Sequence, residues 1–290
     1  MTETRAAMGT LVSITTVRDE PPAAATLERA LQWFTTVEAC CSRFDPDSEL
    51  RQLCREPGRD VPLSPLLFEA LRTALAVAEA SGGAFDPTLG AQMEAAGYDR
   101  HHRTGARTGS GVTPQPLTSY RHVRLHTRRR SVRLQRPLVL DLGGVAKGMA
   151  VDLAARELAP LGDFAIDAGG DLYLGGRNSA GLAWQVGLRH PRHADAIFET
   201  VPVSDAALCT SGDYERGAHL LDPRHGAPAA QACSASVIAP TAMAADALAT
   251  AAMVLGPHDG LALLRREAVA GLILTPELER FTTPDWPGLT

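Results

Sequence analysis

The run Leu138-Val139-Leu140-Asp141-Leu142-Gly143-Gly144-Val145-Ala146-Lys147-Gly148 constrains this chain more than any other segment. Its three leading apolar residues read as a buried strand, its glycines as a turn, and Lys147 to Leu158 as a helix. A strand that ends in a glycine turn and feeds a helix aims backbone N–H groups, and the positive end of the helix dipole, at whatever fills the turn. Lys147 is the one lysine among 28 basic residues. Arginine is a planar fork and lysine a compact charge on a thin stem, so a narrow glycine-lined site favours lysine. In the first turn of a helix the dipole disfavours a cation, which an anion such as a phosphate would offset. A plain glycine turn with a solvent-facing lysine is the alternative. The run follows neither the Walker order, since no Ser or Thr comes after it, nor the G-x-G-x-x-G order.

The 290 residues, 45% hydrophobic and 21% charged, are enough for one large domain or two smaller ones. A net charge of -5 argues against a general nucleic-acid or membrane-surface binder. No window reads as a transmembrane segment, and Met1-Thr2-Glu3-Thr4-Arg5 carries no apolar export signal, so a cytoplasmic location is the expectation. Five cysteines without metal-type spacing read as free thiols.

Strand-like alternation covers Met8 to Thr16, and helical periodicity covers Thr26 to Cys41 and Leu63 to Ala80. Residues 101–118 read as a loop, followed by a hairpin of His122 to Leu125 and Ser131 to Leu134. Phe164 to Ala168, Asp171 to Leu174, Trp184 to Leu188 and Phe198 to Val203 continue the β pattern, and Thr241 to Leu255 is the last strong helix. Helices and hairpins alternate without a βαβ rhythm, so the fold class is α+β with mostly antiparallel sheets and packed helices. From Arg100 to Arg136 the chain holds ten arginines and no acid. That run reads as a solvated face of two strands, with docking of an acidic partner as the alternative.

The alanine-rich helix from Ala242 is apolar on nearly every side, yet Asp246 and Thr250 share one face four residues apart. A buried carboxylate needs a partner. Mg²⁺, which takes oxygen ligands and is completed by substrate phosphates, suits this pair. An Asp246–arginine ion pair, with Thr250 bonded to its own helix, is the alternative. His219, three residues before Asp222, is the candidate acid or base. The Asp-Pro turns at Asp86 and Asp222 suit either turn chemistry or a site.

Several short strings in this order resemble the ApbE-type flavin transferases, the FAD:protein FMN transferases. They are Met8-Gly9-Thr10, Ser42-Arg43-Phe44, Gly83-Ala84-Phe85-Asp86-Pro87-Thr88 and Asp141 to Gly148, followed by Gly169-Gly170-Asp171 and Ser211-Gly212-Asp213-Tyr214-Glu215-Arg216. His219-Leu220-Leu221-Asp222-Pro223 and Ala245-Asp246-Ala247-Leu248-Ala249-Thr250 complete the set. The resemblance implies a single domain over residues 1–290, of two subdomains with the flavin site between them. It implies Mg²⁺-dependent transfer of the FMN half of FAD to a Ser or Thr hydroxyl of an acceptor protein, with release of AMP. Met8, Phe44, Ala84, Phe85, Asp86, Asp141, Lys147 and Leu221 are then the expected FAD contacts. The Gly144 carbonyl, Asp246 and Thr250 are the expected Mg²⁺ ligands, and His219 the expected base. An FAD pyrophosphatase and a non-catalytic FAD-binding protein are the other readings. The chain departs from the family pattern at His225, where Thr is usual after Asp-Pro-Arg, and in residues 91–98, which lack the usual aromatic stretch. It shows no lipobox cysteine, whereas many members are exported, so an omitted N-terminal segment is the alternative to a cytoplasmic location.

Overall fold

Period-two alternation organises the layers. In the strand Ala206–Gly212, Ala207 and Cys209 belong to one apolar cluster and Leu208 to another, because successive side chains leave a strand on opposite faces. The computed structural model describes residues 1–17, 23–101, 104–115, 118–216, 221–224, 227–228 and 231–288. Its strands are β1 (Thr2–Ala7), β2 (Thr10–Thr16), β3 (Asp60–Pro62), β4 (Val123–His126), β5 (Ser131–Leu134), β6 (Phe164–Ala168), β7 (Asp171–Gly175) and β8 (Trp184–His190). They continue with β9 (His193–Val203), β10 (Ala206–Gly212), β11 (Leu221–Asp222), β12 (Ala227–Pro228), β13 (Ser234–Ala239), β14 (Ala270–Leu274) and β15 (Arg280–Thr282). The helices are α1 (Ala23–Cys41), α2 (Glu49–Cys54), α3 (Pro65–Ala80), α4 (Gly90–Ala95), α5 (Gly143–Leu158), α6 (Asp213–Arg216) and α7 (Ala242–Arg266).

An eight-stranded sheet in the order β1-β2-β6-β7-β10-β13-β14-β15 is antiparallel throughout. Helices α5 and α7 pack on one face of it, with α1 and α3 beyond them. The β8–β9 ribbon covers the other face, where Val186, Leu188 and Val201 meet Leu174, Leu208 and Leu272. The result is the α+β, largely antiparallel architecture that the residue pattern predicts. The arginine-rich stretch supplies β4 and β5 of the small sheet β3-β5-β4, where Arg133 on the central strand binds Asp60 on β3 through two hydrogen bonds of 3.0 and 2.7 Å.

Local signals explain the helix ends. Ser64 caps α3 by accepting from the Leu67 N–H at 3.2 Å, with Pro65 in the first turn. α7 departs from expectation, because it continues past Leu255 to Arg266. Gly256, with φ 78, and Pro257 kink it at the predicted end instead of stopping it. By length and composition alone α7 is long and apolar enough to cross a membrane, but 72% of its apolar window is buried here, as in a core helix. Leu138-Val139-Leu140 is buried as expected, yet it joins no sheet. Its polar groups go to loops: the Gly90 N–H donates to Val139 O at 3.0 Å, and the Asp141 N–H donates to Pro87 O at 2.8 Å.

Candidate active site

Asp141 ends the buried segment and organises the start of α5. Its Oδ1 accepts from the Gly143 N–H at 2.8 Å, so one of the helix-start amides is already satisfied within the chain. Its Oδ2 accepts from Arg43 Nε at 2.7 Å, and Arg43 Nη2 reaches the Tyr98 carbonyl at 2.6 Å. The buried guanidinium also lies 4.0 Å from the centroid of the Phe44 ring. One arginine thus joins three walls of a cavity, a use of the planar fork that lysine could not reproduce.

Lys147 enters the same cavity one turn along α5, but its ammonium already has a carboxylate beside it. Lys147 Nζ forms a short ion pair with Oδ2 of Asp171, which is 1% exposed. The Asp171 carboxylate thus already offsets this cation within the chain. Asp171 opens β7, a buried carboxylate there requires a counter-charge, and the lysine stem is long enough to supply it. An incoming phosphate would share the ammonium with Asp171.

α7 brings Asp246 and Thr250 to the facing wall. Asp246 is 6% exposed, and Thr250 Oγ1 lies 3.1 Å from Ser211 Oγ on β10. A Cβ added to Gly144 would fall 2.8 Å from Phe85 Cε2 and 3.4 Å from Thr250 Oγ1. The α5 turn, Phe85 and α7 therefore meet at a point that only glycine fits. A carboxylate, a hydroxyl and a backbone carbonyl are hard oxygen donors, and the described residues hold no group of three or more His, Cys, Asp or Glu that could hold a metal ion by themselves. This donor set fits Mg²⁺ completed by water and phosphate.

Met8 and Gly9 form the two-residue turn between β1 and β2, at φ 50 and 77. Such a turn needs positive φ at both positions, which is costly for a methionine. It delivers Met8 to the cavity wall. Asp86 lines the cavity too, but its carboxylate is engaged in its own turn. Thr88 donates to Oδ1 from N at 2.8 Å and from Oγ1 at 2.6 Å, and the Tyr120 N–H donates to Oδ2 at 2.9 Å. Burial raises the Asp86 pKa despite these donors.

The cavity measures about 480 Å³. Its wall contains Met8, Phe44, Ala84, Phe85, Asp86 and Asp141, together with Lys147, Gly144, Asp246 and Thr250. Three aromatic rings, of Phe44, Phe85 and Tyr98, border it, so the 91–98 stretch contributes a ring in spite of its departure from the family pattern. His219 and His225 lie outside the described residues, as does the Leu221 side chain, whose backbone pairs with Pro228 in β11–β12. The Asp222 turn is closed by Arg224, whose Nε and Nη2 reach the carboxylate at 2.9 and 2.8 Å. Sequence reasoning assigned no role to Arg43 or Asp171, although each stood inside a quoted string, and read Ser211 only as part of a polar turn that either binds ligand or bridges strands. The available signal was a charged or hydroxyl side chain within a run of small residues.

The sequence pattern described as the ApbE family matches residues 8–273. The chain belongs to the ApbE family. The FAD:protein FMN transferase of Treponema pallidum is 33% identical over 93% of this chain and 83% of its own length. The Escherichia coli K12 protein of the same name is 29% identical over 77% of this chain and 68% of its own length. Among solved structures, the ApbE protein of Thermotoga maritima superposes with a TM-score of 0.86 at 26% identity, covering 98% of this chain and 97% of that one. The apo flavinyl transferase ApbE of Pseudomonas stutzeri gives a TM-score of 0.83 at 26% identity, covering 98% and 93%. The ApbE pattern spans every element that lines the cavity.

Proposed function

We propose that this chain is an FAD:protein FMN transferase that moves the FMN half of FAD onto a Ser or Thr hydroxyl of an acceptor protein and releases AMP. The observation that carries this reading is the convergence of Lys147 with Gly144, Asp246 and Thr250 on one cavity, in a chain aligned over most of its length with proteins of that name.

Asp246, Thr250 and the Gly144 carbonyl would hold Mg²⁺, which when bound neutralises charge on the diphosphate. Lys147 adds its ammonium to the phosphate oxygens while Asp171 keeps it against the wall. Phe44, Phe85, Tyr98 and Met8 offer flat or adaptable apolar contact to the flavin and adenine rings. The acceptor oxygen forms a bond to the FMN-side phosphorus, and the bond from that phosphorus to the bridging oxygen breaks. The bridging oxygen leaves with AMP, and the hydroxyl proton passes to a base, for which His219 is the candidate.

The test is mass spectrometry of an acceptor polypeptide after incubation with FAD and Mg²⁺. A gain of one FMN, lost in His219→Ala with FAD binding retained, supports the proposal. Release of AMP and free FMN without a gain on the acceptor would make the chain a pyrophosphatase. FAD binding without AMP release would make it a carrier.

A further inference from the structure

Asp152 has no part in the chemistry above, yet it is tied to the helix that presents Asp246 and Thr250. It lies on α5, is 9% exposed, and accepts from the first two amides of α7: Ala242 N–H to Oδ1 at 2.7 Å and Met243 N–H to Oδ2 at 3.0 Å. α7 already has its own cap, since Thr241 Oγ1 accepts from the Ala244 N–H at 3.3 Å. The first amides of a helix have no partner within it and take side chains, water or ligands. Here they are given a buried carboxylate from 90 residues away in the chain. Burying that carboxylate has a cost, and it raises the Asp152 pKa to about 6 in spite of the two donors.

What it accomplishes is registration. Gly144, Gly148 and Asp152 are spaced four apart and form a stripe along α5 that faces α7. A Cβ on Gly148 would fall 2.4 Å from Ala242 O, and one on Gly144 would fall 3.4 Å from Thr250 Oγ1. Helix α7 is thus fixed to α5 at Ala242 and again at Thr250, with Asp246 midway between. Sliding or tilting α7 would separate the two α7 oxygens from the Gly144 carbonyl.

We infer that Asp152 is a positioning residue that sets α7 against α5, so that Asp246 and Thr250 stand in register with the Gly144 carbonyl for a divalent cation. The inference rests on the proposal that these three groups hold the metal. Partners that orient metal ligands without touching the metal commonly change affinity by about 10- to 100-fold when removed.

The experiment titrates wild type, Asp152→Asn and Asp246→Ala with Mn²⁺ in the presence of FAD. Bound metal is read from loss of the free-ion electron paramagnetic resonance signal, and folding from circular dichroism and Tm. Asp152→Asn is expected to weaken Mn²⁺ binding about 10- to 100-fold. Its FAD affinity in metal-free buffer, read by flavin fluorescence, should stay within about twofold of wild type. Excess metal should restore its transfer rate. If Asp152→Asn fails to fold, Asp152→Glu, which keeps the charge but moves it by one methylene, should show the same weakening. A lowered Tm with unchanged Mn²⁺ affinity overturns the inference and leaves Asp152 a helix cap, provided Asp246→Ala has lost the metal. Wild type that takes up no Mn²⁺, or Asp246→Ala that binds like wild type, overturns the metal assignment and the inference together.

Discussion

Replacing Gly148 by alanine tests whether the spacing of α5 and α7 matters more than the intrinsic preference of a helix. By propensity alone the change stabilises a helix interior by about 0.8–1 kcal/mol. In this fold the new methyl would sit 2.4 Å from Ala242 O and 2.5 Å from Met243 Cα, both backbone atoms that cannot rotate away. Restoring ordinary contact requires the helices to part by about 1 Å, and overpacking of this kind costs about 1–3 kcal/mol. The packing cost matches or exceeds the propensity gain, so stability should fall by about 0–2 kcal/mol. For a chain of this order that lowers Tm by about 2–4 °C per kcal/mol. Because Asp246 moves with α7, the transfer rate should fall further than stability does, by up to about 10²-fold for a displacement of this size. Thermal unfolding and the acceptor mass assay read the two effects, with Gly109→Ala, where nothing lies within 4 Å, as the control. A Gly148→Ala protein that is more stable than wild type and fully active would refute the reasoning.

Lys147→Met should destabilise the fold by about 3–5 kcal/mol, because it strands the buried Asp171 carboxylate. Lys147→Met with Asp171→Asn should recover stability in urea but not transfer, and failure to recover stability would show that the pair is not the coupling. Arg43→Lys cannot serve Asp141 and the Tyr98 carbonyl at once, and a lost charge-assisted bond is worth about 1.5–3 kcal/mol. FAD affinity should therefore drop about tenfold or more, and an unchanged fluorescence titration would exclude Arg43 from shaping the cavity. Asp152 titrates at about 6 in the folded chain against 3.8 ordinarily, because burial disfavours its charged form. Between those values the native state holds more protons than the unfolded state. Its contribution is therefore fully present below about pH 4 and fades as the pH rises through about 6, by an amount of order 3 kcal/mol. Urea unfolding of wild type and Asp152→Asn across that range should show the wild-type advantage shrinking with pH, and parallel curves would contradict it.

The layers were legible because alternation and helical spacing are local. β2, β6, β7, α1 and α3 fall within a few residues of their expected bounds. The members of the cavity wall were legible as strings. Their partners were not: nothing in the spacing of Lys147 points to Asp171, 24 residues on, or of Arg43 to Asp141, 98 residues on. Such pairs are set by how elements stack, which a one-dimensional pattern does not encode. The apparent strand at Leu138–Leu140 shows the same limit, since three buried apolar residues look alike in a sheet and in an extended segment bonded to loops. The passage of α7 through Gly256-Pro257 was missed because those residues punctuate helices more often than they bend them.

The cavity draws its wall from residues 8–9, 43–44, 84–86, 89–100 in part, 141–147 in part, 210–212, and 246, 250 and 254 on α7. During synthesis the first strand turn and the lysine emerge long before the helix that faces them, and domains form as units once their parts are available. A nascent chain that has not yet released α7 from the ribosome has one wall and no opposite side. Flavin affinity should thus arrive abruptly once α7 is released, and amino-terminal fragments stopping before residue 242 should have none.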